Sequence, residues 1–261
     1  PAGTRMTASH AALLEAARNG VEAAAAVILK IYATPFEVRR KADQSPVTLA
    51  DEEAERLIIA ALERVAPEIP VVAEEQVAAS GLPATLASRY WLVDPLDGTR
   101  GFVDRNDEFS INIGLIEDGF PVLGVIGVPT QRLIYAAAGP GTATRQRDGG
   151  KPEPIAARVA PDHPLVLSSR IHGSSRRIEA YLATVPGAIH RQMGSAHKFC
   201  VIAEGAADHY PRYGETSEWD TAAGQAILEA AGGKVTTVDG ARLAYGKAGY
   251  RNPAFIARGR T

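Results

Sequence analysis

Hydrophobic positions near the start of the chain repeat at the spacing of an amphipathic helix. The repeat predicts a first helix that Ser9 caps and that runs to about Tyr32. The same spacing predicts a second helix over 51–65. The apolar stripe of the first helix is Leu13, Leu14, Ala17, Val21, Ala24 and Ile28, and that of the second is Leu57, Ile58, Ala61, Leu62 and Val65.

Short apolar runs replace these helical stripes in the middle of the chain. The first two runs are followed directly by acidic residues, and the next two are joined by the hairpin turn Asp118-Gly119. Two helices followed by a mostly antiparallel sheet predict an N-terminal α+β lobe over 1–140. The five predicted strands cover 69–73, 90–93, 109–116, 122–128 and 133–137.

Strands and helices alternate in the second half of the chain. The stretch 139–164 is rich in Gly, Pro and charge, which favours a boundary between lobes there. The alternation after it predicts a C-terminal α/β lobe over 141–261, so we expect a layered fold that combines α+β and α/β parts. The predicted strands are 165–168, 188–192, a short one near His209, 234–238 and 254–257, and the predicted helices are 174–183, 195–204 and 219–231.

The apolar run 90–93 ends in the motif Asp94-Pro95-Leu96-Asp97-Gly98-Thr99. Because proline cannot donate to a strand ladder, we expect the strand to stop at Pro95 and to deliver both carboxylates to its end. Gly98 permits a tight turn, and Thr99 supplies a hydroxyl beside exposed N–H groups. Hard oxygen ligands next to free amides suit Mg²⁺ and a phosphate together. An ordinary polar turn is the alternative, since Asp, Pro and Gly are common turn residues.

Other acids stand at the ends of predicted elements. Glu74 and Glu75 follow the run 69–73, and Asp51 and Asp220 stand where helices are predicted to begin. On local evidence Asp51 and Asp220 are either helix caps or members of a site. If these acids converge with Asp94 and Asp97, each pair about 4 Å apart repels by roughly 4 kcal/mol at an effective dielectric near 20. Divalent cations are then needed, and oxygen donors without a Cys/His cluster favour Mg²⁺, Mn²⁺ or Ca²⁺ over zinc.

Charge and cysteine content restrict the partners and the compartment. The net charge of −2 gives no general attraction to polyanions, so we expect no nucleic-acid polymer as a partner. No apolar run approaches the roughly 20 residues of a membrane span, so we expect no integral membrane segment. The single cysteine, Cys200, excludes an internal disulfide and fits a reducing compartment. We therefore expect a cytoplasmic protein, and its attachment to the periphery of the inner membrane is an alternative that composition leaves open.

Taken together, these motifs resemble those of the inositol monophosphatase superfamily. The resemblance rests on Asp94–Thr99 with Glu74-Glu75 before it and with Trp219-Asp220-Thr221-Ala222-Ala223-Gly224 after it. Three longer stretches, 41–48, 105–112 and 194–200, are more similar to the bacterial CysQ-type 3'(2'),5'-bisphosphate nucleotidases within that superfamily. The resemblance implies an αβαβα sandwich and a lithium-inhibited phosphatase that uses about two or three Mg²⁺ ions, with Mn²⁺ as a substitute.

The resemblance also implies roles for individual residues. Thr99, hydrogen-bonded to Asp51, positions and deprotonates the attacking water, with Glu74 assisting, and the Gly98 and Thr99 amides hold the scissile phosphate. No phosphoenzyme is then expected. The implied metal ligands are Glu74, Asp94, the Leu96 carbonyl, Asp97 and Asp220, and the implied substrate-binding residues are Leu96, Asp97, Gly98, Thr99, Ser195, Lys198, Arg212, Asp220 and His172.

Specificity is expected in the second half of the chain. Ser195 and Lys198 stand at i and i+3 of a predicted helix turn, and Arg212 offers a charge-assisted contact to a second phosphate. Each of these residues, and His172 above all, is alternatively a solvated surface residue. The implied substrate is a phosphorylated nucleotide, adenosine 3',5'-bisphosphate or its sulfated relative, bound by a monomer or homodimer. The alternatives are an inositol-1-phosphatase or sugar-phosphate phosphatase with the same metal core, and a non-catalytic sensor of nucleotide or metal.

Overall fold

Two large β-sheets, a separate two-stranded sheet and seven α-helices lie in the part of the chain that the computed structural model describes, residues 8–41, 44–83, 87–170 and 175–260. The helices are α1 His10–Tyr32, α2 Leu49–Val65, α3 Glu74–Ser80, α4 Thr99–Val103, α5 Ser175–Ala183, α6 His197–Ala203 and α7 Ala222–Ala230. The strands are β1 Val38–Arg40, β2 Pro46–Thr48, β3 Val71–Ala73, β4 Arg89–Asp97, β5 Ser110–Glu117, β6 Phe120–Val128, β7 Leu133–Ala138, β8 Thr144–Arg147, β9 Glu153–Pro154, β10 Leu165–Ser168, β11 Ile189–Gln192, β12 His209–Arg212, β13 Lys234–Thr237 and β14 Phe255–Arg258.

The larger sheet has seven strands in the order β3-β4-β5-β6-β7-β8-β9. Only β3 and β4 run parallel, and the remaining neighbours are antiparallel, as predicted for the first half. Helices α1 and α2 pack on one face through fully buried Val21, Ile58 and Ile113. Ser9 caps α1 as predicted, because its hydroxyl accepts a hydrogen bond from Ala12 N at 3.3 Å.

The opposite face of this sheet packs on α6 and α7. A Cβ at Gly124 of β6 would lie 2.4 Å from the carbonyl oxygen of Ala223, so α7 approaches the sheet at a distance that only glycine allows. The smaller sheet, in the order β11-β10-β12-β14-β13, covers the other side of these helices, where Phe199 stacks on Phe255. Helix α5 packs on its outer face through Tyr181. The layers form the expected αβαβα sandwich.

Several local expectations were wrong. Strand β4 does not stop at Pro95: Asp94 pairs with Asn112 and Asp97 with Ser110, and the register shifts between them. Pro95 fits in this bulge because a residue that is not paired in the strand ladder does not need a backbone N–H to donate. Helix α2 begins at Leu49, two residues before the predicted start, and the hairpin of β1 and β2 was not predicted.

The second half differs from the prediction at two helix starts. Helix α6 begins at His197, because Ser195 has a left-handed φ of 51°. Instead of one helix over 219–231, a 3-10 helix Glu218–Asp220 precedes α7. Strands β8 and β9 lie within 139–164 and extend the larger sheet, while a lobe boundary at residue 140 stays a prediction. Within the described residues, no helix has the length and apolar content to cross a bilayer.

Candidate active site

A cavity of about 440 Å³ opens where the ends of β3 and β4 face the second half of the chain. Its size suits a small molecule. Asp51, Asp94 and Leu96 are almost fully buried, with exposures of 1, 2 and 1%. His172 lies outside the described residues, so its role in substrate binding stays a prediction. The other predicted site residues all line the cavity: Glu74, Asp97, Gly98, Thr99, Ser195, Lys198, Arg212 and Asp220.

The parallel pairing of β3 with β4 brings the two acidic strand ends together. Val71, Val72 and Ala73 pair with Trp91, Leu92 and Val93, so Glu74, directly after β3, and Asp94, within β4, are the next residues along the two paired strands. Asp94 Oδ1 accepts a hydrogen bond from Leu96 N at 3.0 Å, which folds the bulge around the carboxylate. Burial, followed by the negative charges of Glu74, Asp97 and Asp220, raises the pKa of Asp94 well above its usual range.

A capping box holds Asp220 at the cavity. Asp220 is the last residue of the 3-10 helix and not the cap of a longer helix. Its Oδ2 accepts a hydrogen bond from the N of Ser217, the residue before that 3-10 helix, at 2.9 Å. Buried Glu218 fixes this turn by accepting hydrogen bonds from Gly246 N and Lys247 N, both at 2.9 Å. Burial and then the charges of Asp97 and Glu74 raise the pKa of Asp220.

Lys41 is the site residue to which sequence reasoning gave no role. Its Nζ donates to Glu74 Oε1 at 2.6 Å and to Glu75 Oε1 at 2.5 Å. Burial by itself would lower the pKa of Lys41, but the two glutamates outweigh it and raise that pKa. Across the described residues, no three His, Cys, Asp or Glu side chains are grouped closely enough to bind one metal ion. The acids thus share a cavity and an electrostatic environment, with an ammonium beside Glu74.

Thr99 and Asp51 form the predicted hydrogen bond. Thr99 Oγ1 donates to Asp51 Oδ1 at 3.0 Å and lies 3.1 Å from the Leu96 carbonyl. Asp51 Oδ2 accepts from both the N and the Oγ1 of Thr48 at 2.7 Å. Burial raises the pKa of Asp51 to about 6, although the bonds from Thr48 and Thr99 oppose the rise. Asp51 therefore caps α2 in a capping box with Thr48 and also orients Thr99.

The second half contributes two cations to the cavity wall. Lys198 is 2% exposed, and its Nζ donates to the carbonyls of Met193 at 3.0 Å and Ser195 at 2.5 Å. Burial lowers the pKa of Lys198 to about 7. Because Ser195 precedes α6, these two residues do not share a helix turn, contrary to expectation.

Arg212 is the other cation and is 8% exposed. Its guanidinium donates to the Ser169 hydroxyl and, at 2.8 Å, to the Glu215 carbonyl. Its buried Nε finds no hydrogen-bond partner among the described residues. A buried guanidinium with unused donor capacity at a cavity wall suits an anionic ligand.

Comparison with known proteins agrees with this fold. The model of the inositol monophosphatase family matches residues 10–258, and the chain belongs to that family. The 3'(2'),5'-bisphosphate nucleotidase CysQ of Salmonella typhimurium is 43% identical over 242 residues, which cover 92% of this chain and 95% of that protein.

Solved structures show the same fold. CysQ from Bacteroides thetaiotaomicron, at 35% identity, matches with a TM-score of 0.79 and covers 95% of this chain and 97% of that one. An inositol monophosphatase from Anabaena, at 28% identity, matches with a TM-score of 0.74 and covers 95% and 90%. The family membership inferred from the acidic motifs is therefore confirmed.

Proposed function

We propose that this chain is a Mg²⁺-dependent phosphomonoesterase that removes the 3'-phosphate of adenosine 3',5'-bisphosphate, and of its sulfated relative, to give AMP and phosphate from the former. The observation that carries the proposal is the shared cavity: Glu74, Asp97 and Asp220, from separate parts of the chain, line it together with Thr99, whose hydroxyl donates a hydrogen bond to Asp51. The choice of substrate is supported by similarity to proteins named 3'(2'),5'-bisphosphate nucleotidase CysQ.

The chemistry of the donors fits a hard divalent cation. Burial and the neighbouring acids raise the pKa values of Asp94 and Asp220, so their ionised forms are unfavourable alone, and a bound cation would stabilise them. Bound Mg²⁺ supplies an activated water and neutralises phosphate oxygens. We expect about two or three Mg²⁺ ions, substitution by Mn²⁺ and inhibition by Li⁺. The residues proposed to hold the cations are Glu74, Asp94, the Leu96 carbonyl, Asp97 and Asp220.

The protein's own groups position water and phosphate. The Thr99 hydroxyl donates a hydrogen bond to Asp51, so the Thr99 oxygen is oriented to accept a hydrogen bond from the attacking water. Glu74 is the second proposed acceptor for that water. The amides of Gly98 and Thr99, at the cavity wall where α4 begins, are proposed to hold the phosphate. Water is the nucleophile in this scheme, so no phosphoenzyme should form.

Lys198 and Arg212 are proposed to bind the second phosphate of the substrate, together with Ser195. Buried cations contribute more to binding an anion than exposed ones, because less solvent screens them. A bisphosphate therefore gains contacts here that an inositol monophosphate lacks. His172 remains a proposed contact on the basis of the sequence alone.

Three further features of the proposal concern the whole protein. We expect lobes at 1–140 and 141–261, a monomer or homodimer, and a cytoplasmic protein, free or peripheral to the inner membrane.

Phosphate release from a panel of phosphomonoesters, with and without Mg²⁺, tests the proposal. We expect the bisphosphate to be hydrolysed at the highest kcat/KM, and EDTA to abolish the reaction. Added Mg²⁺ should also raise the melting temperature of the protein without substrate, since a cation at about 100 times its Kd stabilises the fold by about 2.7 kcal/mol. Equal or better turnover of inositol 1-phosphate or a sugar phosphate would favour an inositol-type phosphatase, for which the Anabaena structure is the precedent. Nucleotide binding without any phosphate release would indicate a sensor.

A further inference from the structure

Glu108 lies between α4 and β5, and its side chain reaches across the cavity to the second half of the chain. Its two oxygens accept hydrogen bonds from Arg170: Nε to Oε2 at 2.8 Å and Nη2 to Oε1 at 2.5 Å. Oε2 also accepts from Gly194 N at 3.0 Å. The Glu108 amide donates to Asn106 Oδ1 at 2.9 Å, which fixes its backbone. The carboxylate is therefore held in one orientation by a two-point ion pair.

The segment from Gly194 to Ala196 is bound to the first half of the chain at both ends. Gly194 N donates to Glu108, and Ala196 N donates to Asp97 Oδ2 at 2.5 Å. Ser195 lies between them with a φ of 51°, a conformation that costs a non-glycine residue about 1–3 kcal/mol and persists only where its surroundings impose it. A Cβ on Gly194 would lie 2.8 Å from the Cβ of Glu108, so the close approach requires glycine at 194.

This strained segment sets the position of Lys198. The Ser195 carbonyl accepts a hydrogen bond from Lys198 Nζ, so a change in the backbone at 195 would move the acceptor that holds the ammonium. The Lys198 side chain also lies over the ring of Tyr210, with Nζ 4.8 Å from the ring centroid, and therefore has few other orientations. A displaced carbonyl would leave a buried ammonium without one of its two acceptors.

We infer that Glu108 is a positioning residue for recognition of the second phosphate: with Arg170 it holds the Gly194 amide, keeps Ser195 in its left-handed conformation and so places Lys198 in the cavity. The inference rests on the proposed function, because it assumes that Lys198 contacts the second phosphate. Glu108 itself is not required to touch the substrate.

The test compares two substrates that differ only in the 5'-phosphate, adenosine 3',5'-bisphosphate and adenosine 3'-monophosphate. Glu108→Ala should raise KM for the bisphosphate about tenfold, the effect of losing one charge-assisted hydrogen bond, while KM for the monophosphate and both kcat values change less than about threefold. Glu108→Gln retains a carbonyl for the Gly194 amide and should fall between wild type and Glu108→Ala.

Glu229→Ala is the matched control. Glu229 pairs with Arg242 through a similar multi-point contact, at side-chain exposures of 20 and 47%, against 23 and 47% for Glu108 and Arg170. Glu229 lies on α7 outside the wall of the cavity, so its loss should leave the KM ratio of the two substrates unchanged. Equal losses on both substrates in Glu108→Ala, or a Glu108→Gln variant as impaired as Glu108→Ala, would overturn the inference.

Hydrogen exchange separates this inference from the proposed function. In Glu108→Ala, the amides of Gly194 to Ala196 should exchange at least about tenfold faster, whether or not the protein hydrolyses any substrate. If the wild-type enzyme has the same KM for both substrates, the proposed second-phosphate site is refuted. The exchange experiment still tests the positioning role of Glu108 in that case. Unchanged exchange at 194–196 would refute the positioning role even in an active enzyme.

Discussion

Replacing Thr99 by alanine tests the proposed water-activating pair directly. The hydroxyl has one hydrogen, which it shares between Asp51 Oδ1 at 3.0 Å and the Leu96 carbonyl at 3.1 Å, so the variant loses about one hydrogen bond. Such a bond contributes about 1–2 kcal/mol to the free energy of unfolding. Asp51 Oδ1 loses this bond, while Thr48 still donates twice to Oδ2 and holds the carboxylate in place. We therefore expect a folded protein with a modest loss of stability.

The expected loss of activity is much larger than the loss of stability. Positioned acid–base groups contribute about 10²- to 10⁴-fold to rate, so kcat of Thr99→Ala should fall by at least about 100-fold. Mg²⁺ binding, measured by calorimetry, should change little, since the proposed cation ligands are intact. Thr99→Ser keeps the hydroxyl and serves as the control.

The assay is phosphate release from adenosine 3',5'-bisphosphate at saturating Mg²⁺, beside urea denaturation of each variant. Retention of more than a tenth of the wild-type kcat by Thr99→Ala would refute the mechanism. A drop in unfolding free energy above about 4 kcal/mol would show that the residue is chiefly structural.

Four other predictions concern residues away from the proposed chemistry. Burial lowers the pKa of His197 to about 4 from an ordinary 6.5; between these values the unfolded chain binds the extra proton, so the free energy of unfolding falls as pH falls, by up to about 3 kcal/mol. Denaturation of His197→Phe from pH 7 to pH 4 should show a correspondingly shallower decline, and an unchanged slope would contradict this. Gly20→Ala should raise the melting temperature by roughly 2 °C, because the new Cβ meets nothing closer than 3.5 Å in a helix interior. Gly224→Ala should destabilise by about 1–3 kcal/mol, since its Cβ would lie 2.4 Å from the ring of Phe199, and a thermal melt of both variants that shows equal shifts would refute the packing argument. Cys200 is fully buried with a raised thiol pKa, so it should react with a thiol reagent only on unfolding.

Patterns within a single element predicted most of the fold. The helical stripe behind Ser9, the hairpin at Asp118-Gly119 and the acidic ends of two strands are local signals, and the structure contains all of them. The parallel pairing of β3 with β4 is not encoded in either strand alone, because it depends on how the layers pack. The acidic strand ends in the sequence suggested this pairing but could not establish it.

Expectations failed where a tertiary contact overrides a local preference. Pro95 did not end β4, because the strand accommodates it in a bulge that the buried Asp94 carboxylate stabilises. Ser195 looked helical, but two carboxylates from the first half of the chain hold its neighbours outside the helix. The residues around Lys41 in the sequence did not indicate that it belongs to the site, because the acids that it binds follow more than thirty positions later.

The helix layer shared by the two sheets bears on what happens if the backbone is cut. Residues 148–154 are exposed. They separate β3 to β8 of the larger sheet, which packs on one side of α7, from the part of the chain that contains α6, α7 and the smaller sheet. After a protease cut there, neither fragment could cover the apolar surface of α6 and α7 alone. The two pieces should stay bound through that common interior, and fragments made separately should fold only when mixed.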